Sequence, residues 1–244
     1  MEAVGGSPVG SDPQATADFS DSNPGTLTGG PVWSTTTPFT YTGNRAILYD
    51  GLNDYVDVGD PANLFFPGAF SISAWVRRDA SGVRYILGDY DSPGLDSSYA
   101  LRVNSSGTVS FFWENSSTFP MATSTTVLTL GTYYHLVGTW DGTTRRLYVN
   151  ATLEGINSTP QSRPGFGQNT TFGRAGNFSG LYFNGLIDEV GIWNYALNQD
   201  EVDWLNQNSL NNLGAEAIVP EPSALPLLLT GLAVVWLPFR LRAK

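Results

Sequence analysis

Residues 70–78, Phe-Ser-Ile-Ser-Ala-Trp-Val-Arg-Arg, alternate with period two. Phe70, Ile72, Ala74 and Val76 fall on one side, and Ser71, Ser73, Trp75 and Arg77 on the other. Successive side chains of a strand point to opposite faces, so the pattern predicts a strand with one face in a core. The stretch 99–114 predicts a hairpin: Tyr99, Leu101 and Val103 alternate up to Ser105-Ser106-Gly107, and Val109, Phe111 and Trp113 alternate after it. A second hairpin spans 133–150 and turns at Asp141-Gly142, and two more strands fall over 170–175 and 183–194. One helix is predicted, over 196–207: Asn198 is its N-cap, Glu201 completes a capping box, and Val202 and Leu205 form its apolar stripe. Many short strands separated by turns, with one late helix, predict an all-β fold: a two-sheet antiparallel β-sandwich or jelly roll.

The ends break this pattern. Residues 1–44 carry few large apolar side chains and many Gly, Pro, Ser, Thr and Asp, and read as loop or extended chain. From Ala224 to Phe239 there is no charge, and Arg240, Arg242 and Lys244 follow at once. That run predicts a C-terminal hydrophobic helix at the short end of what spans a bilayer, with its basic flank on the cytoplasmic side. A buried core element is the alternative, but core elements rarely end a chain in a purely basic flank.

Composition narrows the function. Without residues 219–244, 21 acids stand against 9 bases, a net charge of −12. That disfavours nucleic acid and anionic lipid and suits cations or neutral glycans. There is no cysteine, hence no disulfide framework and no thiol chemistry. Retaining glycoside hydrolysis needs two carboxyl groups about 5–5.5 Å apart, which on a strand means acids at i and i+2. Asp188 and Glu189 are adjacent, with Leu186 and Val190 flanking on the Asp188 face, so the catalytic pair is not expected there. Asp89, Asp91 and Asp96 lie in a predicted loop without EF-hand spacing. His135 is the only histidine and reads as a structural strand residue rather than a general base. The chain is read as a non-enzyme. Six Asn-x-Ser/Thr sequons, at Asn104, Asn115, Asn150, Asn157, Asn169 and Asn177, read as turn chemistry.

Four segments together resemble the concanavalin A-like, laminin G-like jelly-roll family: 46–60, 70–78, 131–155 and 183–205, within a domain of residues 25–208. Tyr133 or Tyr134 stands where that family commonly has Trp, and Gly191 where it has Arg. The family's first strand is expected upstream of Met1 together with a signal peptide, leaving 1–24 as loop or the remnant of that region. The resemblance implies glycan binding, in which sugars stack on aromatic faces. Tyr90, Trp113, Tyr182 and Trp193 are the candidate platforms, Tyr90 and Tyr182 foremost because Gly/Ser/Asn loops adjoin them. Related jelly rolls hold one calcium ion where the opening Asp-Gly loop meets the late strand, and Asp50 and Asp188 match those positions, with Glu2 a match to the first-strand Glu. The alternative is that Asp50 makes an Asx turn and Asp188 caps a strand end.

After a linker at 209–218, Val219-Pro220-Glu221-Pro222, the apolar run at 224–239 and the basic end with Arg240 and Arg242 resemble a PEP-CTERM sorting signal. This resemblance implies an exported bacterial protein, held in the inner membrane through its tail, then recognised by an exosortase and cut near Pro220–Pro222. The mature domain would work at the cell surface or in the extracellular matrix, binding exopolysaccharide or another glycan. The competing reading is a structural or adhesion protein that binds other surface proteins.

Overall fold

The computed structural model describes residues 2–6, 15–18, 23–41, 43–90, 97–115, 119–162, 169–176 and 180–210, with only the backbone for 2–6, 15–18, Tyr90 and Ser97. The strands in chain order are β1 (Glu2–Gly6), β2 (Ala15–Asp18), β3 (Gly25–Thr28), β4 (Val32–Ser34), β5 (Ala46–Asp50) and β6 (Tyr55–Gly59). They continue as β7 (Phe70–Arg78), β8 (Arg84–Tyr90), β9 (Ser97–Val103), β10 (Val109–Phe112) and β11 (Met121–Thr123). The last are β12 (Tyr133–Trp140), β13 (Arg145–Val149), β14 (Thr152–Asn157), β15 (Thr170–Phe172) and β16 (Asn184–Trp193), followed by helix α1 (Gln199–Gln207).

Two antiparallel sheets face each other. The first has β7 at its centre, between β12 and β16. It extends through β13 to β14 on one side. On the other side of β16 lie β5, opposite residues 184–187, and β1, opposite 191–192. The second sheet runs β11-β10-β9-β8-β15-β6-β3-β2, and a β1–β2 pairing links the two. Edge strands invite aggregation unless covered. Here β14 is tied across to the second sheet's end: Asn157 Nδ2 donates to the Met121 carbonyl at 3.1 Å, and the Glu154 carboxylate accepts from the Thr125 and Thr126 amides.

The period-two pattern decides what fills the space between the sheets. Phe70, Ile72, Ala74 and Val76 point inward and are fully buried. Phe70 lies at the centre of an aromatic cluster, its ring 5.8 Å from those of Tyr99 and Phe111 and 6.1 Å from those of Phe66 and Trp113. The outward side of the first sheet is also covered. Asn198 and Glu201 form the expected capping box at the start of α1, and Val202 and Leu205 pack onto Val137, Tyr148 and Trp193. Both hairpins turn where the pattern places them: Gly107 and Gly142 take φ of +87° and +98° in the two turns, a backbone region open to glycine at little cost.

Two differences from the sequence reading have physical causes. Residues 1–44, expected as loop or extended chain, contribute the paired strands β1 to β4, each of three to five residues. Such short elements leave almost no periodic signal. The motif 219–222, the apolar run 224–239 and the basic end lie outside the described residues. Among the described residues no helix is long and apolar enough to cross a membrane.

The closeness of the two sheets yields a prediction. A Cβ on Gly138 of β12 would sit 2.5 Å from ring carbons of the buried Phe111. Gly138→Ala should therefore destabilise the domain by about 1–3 kcal/mol through overpacking, read as a lower denaturant midpoint at unchanged slope.

Candidate functional site

The structure separates the four candidate sugar platforms. Trp113 is fully buried: its indole lies 4.9 Å edge-on from Trp140, and the Arg145 guanidinium sits 3.4 Å above its ring. Trp193 is buried as well, folded back over Gly191, where any Cβ would strike the indole. Both are packing residues, as is usual for large aromatics in sandwich cores. The Gly191 that replaces the family's Arg makes room for this ring. Tyr90 ends β8, where its backbone pairs with Ser97, and its side chain lies outside the described residues. Tyr182 is partly exposed and lies beside Tyr55, the two rings 6.5 Å apart and tilted by 36°.

Tyr55 and Tyr182 mark the outward face of the second sheet. In β6, Val56 and Val58 turn to the core, so Tyr55 and Asp57 turn outward. Phe183 is buried in the core, and Tyr182 before it turns the other way. Residues 173–176 and 180–183 lie on this face, held by Tyr85 N donating to the Leu181 carbonyl at 3.1 Å and Phe183 N to that of Gly173 at 2.8 Å. They bury a small cluster of Tyr85, Ala100, Phe112 and Ala175, and lay the Arg174 guanidinium 3.6 Å over the Tyr55 ring. Asn169 Nδ2 donates to both Asp57 carboxylate oxygens, at 2.9 and 3.1 Å, and Gly59 N donates to Oδ1 at 2.8 Å. The result is a partly exposed aromatic pair bordered by an amide, a carboxylate and a guanidinium. The sequence reading picked out Tyr182 of this group and missed Tyr55, Asp57, Asn169 and Arg174. The alternation Tyr-Val-Asp-Val at 55–58 carried the signal for the first two.

The calcium candidates are not brought together. Asp50 stands opposite Asn184 in register, four residues along β16 from Asp188, or about 13 Å at the usual strand rise. Asp50 Oδ1 accepts from the Leu52 and Asn53 amides at 2.7 and 3.4 Å, the Asx-turn role. Glu2 pairs with Ile192 through its backbone, and its side chain lies outside the described residues. A calcium ion shared by Asp50 and Asp188 does not fit this geometry, and no group of three or more ligating side chains gathers among the described residues.

Asp188 and Glu189 differ from their expected placement on opposite faces. The register of β16 shifts between Asp188 and Gly191, and Glu189 takes φ of +51°. Ile187 and Val190 both stay in the core, so the irregularity turns both acids outward, where the neighbouring strand changes from β5 to β1. They are nevertheless only 6 % and 4 % exposed. Glu189 accepts from the Tyr41 hydroxyl at 3.3 Å, the Ser209 hydroxyl at 2.5 Å and the Leu210 amide at 2.5 Å. Asp188 Oδ1 accepts from the Glu189 amide at 2.9 Å, while Oδ2 is buried without a partner. Burial, and then the charge of Glu189, push the Asp188 carboxyl up to about 8. His135 lies in the same cross-strand row, stacked on Trp75 with ring centroids 5.2 Å apart. Burial holds its pKa down at about 3, so it stays neutral, as a structural histidine would.

Folded Asp188 thus keeps a proton that the unfolded chain releases near pH 4. Its contribution favours folding at low pH and is lost as pH rises from about 4 through about 8. Asp188→Asn mimics the protonated form and keeps the Oδ1 acceptor. Its melting temperature should exceed the parent's at pH 9 by at least about 2–4 °C, the shift that about 1 kcal/mol gives a domain of this size. The two should converge near pH 4; a parallel pair of pH–melting curves would contradict the assignment.

Comparison with known proteins agrees with this architecture. A domain of an extracellular arabinanase from Geobacillus stearothermophilus, solved in complex with arabinotriose, superposes with a TM-score of 0.63 at 19% identity, over 83% of this chain and 98% of that one. The binding domain of Paraclostridial Mosquitocidal Protein 1 gives 0.64 at 14% identity, over 84% of this chain and 51% of that one. A structure of botulinum neurotoxin type C, whose cell entry depends on interaction with two ganglioside molecules, gives 0.60 at 12% identity, over 84% and 50%. The chain spans about half the length of both toxin chains. No curated protein matched. The family profile Laminin_G_3 matches residues 50–203, more than half of the chain, and the protein belongs to the concanavalin A-like lectin/glucanases superfamily.

Proposed function

We propose that the domain is a non-catalytic carbohydrate-binding module acting through the outward face of its second sheet. The observation that carries this reading is the partly exposed Tyr55–Tyr182 pair, bordered by the Asn169–Asp57 hydrogen bonds. Aromatic faces offer stacking surface to the apolar faces of sugar rings, and fixed polar neighbours read the hydroxyls. Two neighbours of the same fold support it by their ligands, arabinotriose and gangliosides. The non-catalytic reading draws support from the sealing of Asp188 and Glu189, too buried to flank a glycosidic bond.

The same proposal extends to the tail. Residues 219–244 act as an exosortase-recognised address, the protein is exported, and the mature domain meets exopolysaccharide at the cell surface or in the extracellular matrix. Support here is the order of Val219-Pro220-Glu221-Pro222, apolar run and basic end. Intact-mass measurement of the protein shed from native cells should give a C-terminus near Pro220–Pro222; a surface form still ending at Lys244 would refute the processing step.

Binding should be tested by affinity electrophoresis against the native exopolysaccharide and a polysaccharide panel. Saturable binding is expected, and Tyr182→Ala should weaken it about tenfold, the effect of losing roughly 1.4 kcal/mol of aromatic contact. A folded protein that retards in none of the gels would favour the alternative, adhesion to other surface proteins.

A further inference from the structure

Arg174 borders the Tyr55–Tyr182 face. The other arginines of the described residues each donate a hydrogen bond: Arg77 to Asp79, Arg146 to Asp141, Arg78 and Arg145 to backbone carbonyls across the fold, Arg102 to Asn104, and Arg45 and Arg84 to neighbouring carbonyls. Among the described residues, Arg174 is the arginine whose guanidinium donates none and pairs with no carboxylate, and its Nε is shut off from solvent without a partner. Its contact is the Tyr55 ring, 3.6 Å away. The acid on the same strand is already committed, since Asp57 takes the Asn169 amide and the Gly59 N–H. The backbone behind Arg174 is pinned, its carbonyl accepting from Thr171 Oγ1 at 3.1 Å.

A guanidinium held flat on an aromatic face loses little further freedom on binding and keeps its terminal N–H fork for a planar, bidentate anion. A carboxylate matches that fork. Arg174 covers one face of Tyr55 and Tyr182 stands 6.5 Å from that ring, so a uronate ring stacked on Tyr182 would lie beside the cation. We infer that this face selects a uronate-bearing polysaccharide, with Arg174 as the carboxylate receptor. The inference rests on the carbohydrate-binding reading of the same face. The chain's formal charge of −10 opposes an acidic glycan at long range, but at 0.15 M salt that field decays within about 8 Å, leaving the local contact to decide.

The test uses the full chain in mild detergent at 0.15 M salt, titrated with a uronate polysaccharide, its carboxyl-reduced derivative, a neutral polysaccharide and a sulfated one. Carboxyl reduction should weaken binding at least tenfold. Arg174→Gln, with its fold checked by thermal melting, should bind the native and reduced polymers alike, and Arg174→Lys should recover only part of the difference because an ammonium lacks the fork. Equal affinity of the parent for native and reduced polymer overturns the inference while leaving carbohydrate binding intact. Equal affinity for the sulfated polymer overturns the carboxylate assignment in favour of unselective anion binding. Failure to bind any of the four overturns both readings.

Discussion

Strand β7 has a neighbour on every side, and the rest of the fold is arranged around that fact. It is hydrogen-bonded to β12 and β16 along its two edges, its inward side chains meet the second sheet, and of its outward ones Ser71 and Ser73 are buried and Trp75 and Arg77 half-buried. The Ser71 hydroxyl donates to the Tyr195 carbonyl and accepts from the Leu197 amide, holding the approach to α1 against the sheet. Trp75 is covered by Phe39, whose ring meets it edge-on at 5.2 Å. Burial makes an unpaired polar group costly; Ser71 is paired, while Ser73 Oγ and Trp75 Nε1 are shut off from solvent without a partner. Helix α1 and the 34–41 segment both lie on this outer face of the first sheet.

With α1 and the 34–41 segment lying on the first sheet, the face proposed to bind sugar is the outward face of the second. Residues 173–176 and 180–183 cover part of it, over Tyr85 and Phe112, and supply Tyr182 of the aromatic pair. The first of these stretches supplies Arg174, so the residues that complete the packing also build the edge of the site. Gly173 begins that stretch with φ of +84° and lies against the Tyr49 ring, where a Cβ would come within 2.5 Å. A side chain there would strain the backbone and displace the core, so the position of Arg174 depends on a glycine one residue before it.

The sandwich, both hairpins and the capped helix were legible in the sequence because alternation and turn chemistry are local signals. The strands of the first 44 residues were not, since elements of three to five residues complete their burial only against partners far along the chain. The site was legible in part. Tyr182 stood out by its loop setting, but Trp113 and Trp193 look the same as surface aromatics until the opposite sheet is in place. Strict alternation put Asp188 and Glu189 on opposite faces; one residue at φ of +51° turned both outward. Nothing in the residue types announces such a bulge, because it arises where β16 changes neighbours from β5 to β1.

That bulge shows how the fold tolerates buried acids in a chain with few charges to neutralise them. No basic side chain forms an ion pair with Asp188 or Glu189 among the described residues. Asp188 is held in its neutral form instead, which removes one of two adjacent like charges. Glu189 then accepts three hydrogen bonds, from the 34–41 segment through Tyr41 and from the chain after α1 through Ser209 and Leu210. A charged acceptor strengthens such bonds relative to neutral ones, and here they fasten two distant segments to one point of β16. Burial shifts both carboxyls upward, but Asp188 has a single donor, the Glu189 amide, where Glu189 has three. The two acids therefore divide the work: Asp188 holds a proton, and Glu189 serves as the tie for the covering layer.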